Sequence, residues 1–194
     1  MTRHLAWGLA IAVVASGCGG SPMSRFYTLD AVAPADGAAM ANTSIVVGPV
    51  TVPTAVDRPQ LVLQAGPNRV AVDEFNRWAG PLGESIATTV AGNLSVLLGT
   101  PRVVAGPIPG FDPAYRVTID VQRFESTPGT DVLVDAVWIV HTTAGGATRT
   151  GRTVAREATS GAGIDAVAAA HSRAVARVST DIAVAIRAAA ARSR

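Results

Sequence analysis

Tyr115-Arg116-Val117-Thr118-Ile119-Asp120-Val121-Gln122-Arg123-Phe124 sets Tyr115, Val117, Ile119 and Val121 against Arg116, Thr118, Asp120 and Gln122. A period of two puts the apolar set on one face of a strand, so the stretch reads as a half-buried β-strand. The chain beyond it repeats the pattern after short breaks. Thr127-Pro128-Gly129-Thr130 is a turn, and Val132–His141 returns with Val132, Val134, Ala136, Trp138 and Val140 on one side. Ala144-Gly145-Gly146 is a second turn, leading to Ala147–Ala158, a strand of arginines and threonines suited to a wet face or a charge-guarded edge. Loops this short join antiparallel neighbours, which predicts a three-stranded meander.

Upstream, Ser44–Val50 is β-branched and reads as a buried strand, closed by Gly48-Pro49 and again by Pro53. Leu61–Gln64 and Asn68–Val72 are two short strands around the turn Ala65-Gly66-Pro67. Pro81 opens a helix, where its missing N–H costs nothing. Leu82, Ile86, Val90, Leu94 and Leu97 give that helix one apolar face, and Gly99 with Pro101 ends it. Arg102–Ala105 is a short strand, followed by a loop over Gly106–Pro113. A final helix spans Gly163 to Ala191, with Ile164, Val167, His171, Ala174, Val178, Ile182 and Ile186 on one stripe and Arg173 and Arg177 turned to water. The expected fold class is α+β, a mainly antiparallel sheet with two amphipathic helices packed on one face, forming a single domain over residues 44–194.

The N-terminal segment has a different character. Arg3 and His4 precede the apolar run Leu5–Val14, then Ala15-Ser16-Gly17 and Cys18, the chain's sole cysteine. This is the layout of a secretory signal peptide over residues 1–17. The apolar run is about half of what a membrane-crossing helix needs. Small residues ahead of a lone cysteine resemble the lipobox of bacterial lipoproteins, which implies a covalent lipid on Cys18 as the new N-terminus. In such lipoproteins an aspartate after the cysteine favours inner-membrane retention; here the residue is Gly19, which implies the outer membrane. Residues 18–43 read as a lipidated N-terminus and flexible tether. Within them Arg25–Asp30 is briefly extended, and Ala31–Thr43, rich in alanine and glycine, is a mobile linker.

The 194-residue chain carries a formal net charge of +2, and all 16 of its Lys+Arg residues are arginine. Loss of Arg3 with the signal lowers the charge to about +1, with no electrostatic footprint for nucleic acid. No second cysteine exists for a disulfide, so stability rests on apolar packing.

Few residues of the chain carry the patterns of a reactive site. His141 ends a strand and His171 sits on the last helix; without a cysteine partner or a His-x-x-x-His pair there is no basis for zinc, and both read as solvated or capping residues. Gly83-Glu84-Ser85-Ile86-Ala87 faintly resembles a nucleophile elbow but lies inside an amphipathic helix. Asp73 and Glu74 are either a catalytic pair or, more simply, favourable charge before a helix N-terminus. No catalytic residue, metal site or cofactor is expected beyond the lipid on Cys18. Pro49, Pro53 and Pro59 predict that Thr51–Gln60 loops out from a sheet edge. Asp57 and Arg58 on that loop are either a contact for a partner or a second subunit, with Pro59, or a local salt bridge or turn fixture. Trp78 is either an interface anchor or a residue packed over the first helical turn.

Three segments together carry a resemblance: Arg25-Phe26-Tyr27-Thr28-Leu29-Asp30; Val47-Gly48-Pro49-Val50-Thr51-Val52-Pro53 with Asp57-Arg58-Pro59-Gln60-Leu61-Val62; and Asn76-Arg77-Trp78-Ala79-Gly80-Pro81-Leu82. In this order they resemble the ABC-type transport auxiliary lipoproteins, the PqiC or YmbA-like family. Glutamate is common in that family where Gly80 stands here. The resemblance implies a non-enzymatic lipoprotein on the periplasmic face of the outer membrane. It further implies a homo-oligomeric ring that docks an MCE-domain protein bridging the envelope for lipid transport, in support of envelope integrity. Two other functions remain open: a periplasmic lipid-binding carrier lipoprotein, and an assembly lipoprotein of another outer-membrane machine.

Overall fold

The computed structural model describes residues 23–37 and 39–192. In chain order the strands are β1 (Arg25–Tyr27), β2 (Ile45–Thr51), β3 (Gln60–Gly66) and β4 (Arg69–Trp78). Helix α1 (Leu82–Leu98) comes next, then β5 (Val103–Ala105), β6 (Tyr115–Thr127), β7 (Asp131–Thr142), β8 (Thr148–Ala158) and helix α2 (Ile164–Ala190). They form a five-stranded sheet in the order β5-β2-β6-β7-β8 and a three-stranded sheet in the order β1-β4-β3.

The expected meander is present, with β6–β7 and β7–β8 antiparallel. β6 runs past Phe124 because the strand carries a bulge. Val121 faces Ala136 and Arg123 faces Asp135, so Gln122 is an extra residue and Phe124 returns to the apolar side. The sheet is more mixed than expected. β2 pairs in parallel with both β5 and β6, and β1 pairs in parallel with β4. Gly48-Pro49 does not close β2; a register shift between Val47 and Val50 lets the strand continue to Thr51.

The fold class is α+β, with both helices against the same face of the larger sheet: α1 over β2 and β5, α2 over β7 and β8. The shared core contains Ile45, Val47 and Val117 from the sheet, Val90, Leu94 and Leu98 from α1, and Ile182 and Ile186 from α2, all fully buried. Ala170, Ala174 and Ala183 are also fully buried, so the small side chains of α2 let it sit close to its neighbours. Arg173 and Arg177 do not simply point to water. Both bond Glu157 on β8, at 3.3 and 2.5 Å, and Arg173 also donates to the Ala158 carbonyl at 2.6 Å, clamping the helix to the edge strand.

A second difference lies in residues 28–37 and 39–41, expected as part of a loose tether. They form a strap along the groove between α1 and α2. Thr89 donates to the Leu29 carbonyl at 3.2 Å, the Asp30 N–H donates to Ser172 at 3.1 Å, and the Ala33 N–H donates to Asn93 at 2.9 Å. Arg187 reaches Asp36 at 3.0 Å, and the Met40 N–H reaches the Leu98 carbonyl at 2.6 Å. Gly92 makes room for the strap: a Cβ there would stand 2.9 Å from the Ala31 Cβ. Small side chains and helix-borne acceptors order this segment without an apolar pattern of its own.

Candidate functional site

The loop after β2 is a compact turn. The Pro53 carbonyl accepts the N–H groups of Val56 and Asp57 at 3.0 and 3.1 Å, and the Val56 carbonyl accepts that of Arg58 at 2.9 Å. The Pro59 carbonyl accepts the Trp78 N–H at 2.7 Å, fixing the loop to the end of β4. Asp57, Arg58 and Pro59 are exposed. Neither charged side chain has an ion-pair partner among the described residues, so the local salt bridge does not form, while the backbone bonds of Asp57 and Arg58 make both residues part of the turn itself. Two opposite charges on a pinned turn present a polar surface outward.

Trp78 is not part of that surface. It is 5% exposed and its indole lies edge-on to Phe124 and to His171, with ring centroids 6.0 and 6.1 Å away. Phe124 and His171 stack at 3.9 Å, almost parallel. The cluster ties β4 to β6 and α2, so Trp78 is a core residue and not an interface anchor.

His171 is neither solvated nor capping. It is fully buried, its Nε2 is 2.8 Å from the Ser126 hydroxyl, and its Nδ1 has no partner. Burial pushes its pKa down to about 3, so the ring is neutral at physiological pH. Ser126 and His171 have the spacing of a nucleophile and its base, yet both are buried, at 3% and 0% exposure. Both side chains are shut off from solvent, and the His171 ring is packed against Trp78 and Phe124. The pair's sequence signal was the place of His171 on the apolar stripe of α2. His141 is half-buried at the end of β7, with Nδ1 3.2 Å from the Thr148 hydroxyl.

Asp73 and Glu74 lie within β4, not before a helix. Asp73 accepts the N–H groups of Phe75 and Asn76, each at 3.0 Å, and the Asn76 amide at 2.8 Å. Burial acts to raise its pKa, but these hydrogen bonds outweigh it and hold the carboxyl below its ordinary value. Asp73 thus caps an irregularity in the strand. Ser85 bonds back to the Pro81 carbonyl at 3.0 Å inside the first turn of α1, so it shares no geometry with a nucleophile elbow.

On the face of the larger sheet away from the helices, sequence reasoning missed Asp135. Arg152 holds its carboxylate through two bonds of 2.8 and 2.6 Å, and these hydrogen bonds lower its pKa. An open groove of about 450 Å³ lies where β2, β5 and α1 meet, lined by Val47, Pro49, Gly83, Glu84, Ala87 and Ala105. Gly83 is required there, since a Cβ would come 2.9 Å from the Val50 carbonyl oxygen. Among the described residues no group of three or more His, Cys, Asp or Glu side chains is placed to hold a metal ion. None of their helices is long and apolar enough to cross a membrane. Cys18 lies outside the described residues.

Comparison with known proteins places this architecture. A crystal structure of an uncharacterized protein matches with a TM-score of 0.69 and 22% identity, covering 86% of this chain and 99% of the other. The protein XCC0632 from Xanthomonas campestris, of the DUF330 family, matches with a TM-score of 0.64 and 17% identity, covering 81% and 92%. These likenesses establish the shared fold. No curated protein matches significantly. The model of one family, described as the ABC-type transport auxiliary lipoprotein component, matches residues 27–183, from the end of β1 into the last turns of α2. The chain therefore belongs to the ABC-type transport auxiliary lipoprotein family.

Proposed function

We propose that this chain is a non-enzymatic lipoprotein on the periplasmic face of the outer membrane, held there by lipid on Cys18. In this reading it is the docking subunit of an MCE-type intermembrane lipid transport system. It works as a homo-oligomeric ring that receives an envelope-spanning MCE-domain protein. The family match over residues 27–183 carries the reading, since it spans nearly all of the folded body and describes an auxiliary part of a transporter. The pinned, exposed Asp57-Arg58-Pro59 turn supports it as the contact surface. The burial of Ser126 and His171 is consistent with a part that performs no catalysis.

The test is a photo-crosslinking residue at Arg58 in the full-length lipoprotein, activated in intact cells. Capture of an MCE-domain protein, lost when Asp57→Ala is added, would establish docking and its surface. Recovery of the lipoprotein with lipid and no protein partner would replace docking with the carrier function. Capture of a different outer-membrane protein would point to the assembly role.

A further inference from the structure

Four exposed large apolar side chains lie on two adjacent strands of the smaller sheet. Phe26 is 65% exposed, Val70 50%, Val72 38% and Phe75 44%, and Met23, two residues ahead of β1, is exposed as well. β1 covers β4 only at Asn76–Trp78, so the β4 edge from Arg69 to Phe75 has no partner strand among the described residues. An apolar, unpaired edge of this kind is a liability unless something covers it.

The path of the chain says what covers it. β1 runs parallel to β4 with Arg25 opposite Asn76, so the N-terminal end of β1 points the same way as the N-terminal end of β4 and the Pro67-Asn68 turn. Cys18 precedes Met23 by five residues, a reach of at most ~18 Å at full extension. A lipid on Cys18 therefore holds this end of the sheet next to the bilayer. Charge does not oppose the approach: Arg25, Arg69 and Arg77 stand on these strands against Asp73 and Glu74, a balance near neutrality.

We infer that the β3–β4 hairpin is a second, non-covalent foot, laying Val70, Val72 and Phe75 into the interface of the membrane that holds the lipid anchor. The inference rests on acylation of Cys18. The anchor raises the local concentration of bilayer around the hairpin, so a weak apolar contact is enough to fix the orientation of the domain. Near-neutral charge makes the contact insensitive to anionic lipid and to salt.

The test uses the purified full-length lipoprotein in phosphatidylcholine vesicles. An environment-sensitive fluorophore is attached through Val72→Cys, Phe75→Cys or, as a control on the open face of the larger sheet, Val154→Cys. Loss of fluorescence to a lipid-borne quencher at positions 72 and 75, with iodide quenching only at 154, is the expected result. Labels at 72 and 75 that iodide quenches as it does 154 overturn the inference. Labels shielded from both quenchers overturn it too, by showing the edge covered by a second copy. Incorporation of labelled palmitate, lost in Cys18→Ser, reads the anchor separately: absence of label refutes the anchor and the foot together. A labelled protein with its hairpin in water refutes the foot alone.

Discussion

His171 makes the stability of this domain depend on pH above the range where carboxylates titrate. Its imidazole is fully buried against Phe124 and Trp78, and burial lowers its pKa from 6.5 to about 3. A depressed pKa on a base means that the unfolded chain binds the proton that the folded chain refuses. Stability is therefore complete above pH 6.5 and falls as pH drops from there toward 3. At pH 5 the unfolded imidazole is almost wholly protonated and the folded one neutral, which costs about 2 kcal/mol. With a urea m-value of about 2 kcal/mol/M, the midpoint falls by about 1 M between pH 7.5 and pH 5. Model carboxylates titrate near pH 4, so most of this window belongs to the histidine. The assay is equilibrium urea unfolding of a non-acylated Cys18→Ser chain at pH 7.5, 6.5, 5.5 and 5.0, alongside His171→Gln. Glutamine keeps a polar group near Ser126 and cannot titrate, so its midpoint stays nearly flat over the same range. Equal pH slopes in the two proteins would falsify the assignment.

Other perturbations test other joints. Gly151 lies opposite Trp138, and a Cβ there would collide with the indole ring. Gly151→Val displaces a ring whose Nε1 donates to Thr153, and destabilises by about 1–3 kcal/mol or more in the same urea assay, with altered tryptophan fluorescence. Gly83→Ala pushes α1 off the Val50 carbonyl and costs about 1–3 kcal/mol. Asn93 accepts from the strap at Ala33 and donates to Ser179 on α2. Asn93→Leu removes both bonds, and hydrogen exchange reads faster amide exchange around Ala33, with a stability loss of about 2 kcal/mol. Arg152→Ala removes the bonds that hold the Asp135 carboxyl low, so its titration by NMR moves upward.

The parts of the fold legible in the sequence are those whose order is local. Alternation in Tyr115–Val121 and in Val132–Val140 identified two adjacent strands, because each buries one face and meets its neighbour through a short turn. The apolar stripes found both helices and their shared side of the sheet. Parallel pairing was not legible: β2 lies between β5 and β6, whose residues come more than fifty positions later, and nothing in Ile45–Thr51 names them. The strap was hidden for a related reason. Its amides and carbonyls are satisfied by Asn93, Ser172 and Thr89 on the helices, so its own residues need only be small. His171 lay between the two cases, since its place on the stripe implied burial while its residue type suggested water.

Trp78 and Phe75 show why the exposed surface was harder to read than the core. Both are aromatic, both lie on β4, and tryptophan is the residue that interfaces favour. The pairing reverses that expectation. Gln60 faces Arg77 and the next residue, Leu61, faces Asp73, so residues 74–76 are extra on β4. The Asp73 carboxylate holds this bulge by accepting the N–H groups of Phe75 and Asn76. A strict period of two fails across such an irregularity, and no count along the strand predicts which aromatic turns inward. Trp78, beyond the bulge, enters the cluster with Phe124 and His171, while Phe75 within it stands 44% exposed. The exposed member of the pair is thus chosen by a three-residue insertion and the aspartate that caps it. Restoring regular pairing by deleting residues 74–76 would remove Phe75 along with the bulge. A gentler change, Asp73→Ala, loosens the bulge and increases hydrogen exchange at Phe75 and Asn76, while leaving the Trp78 cluster protected.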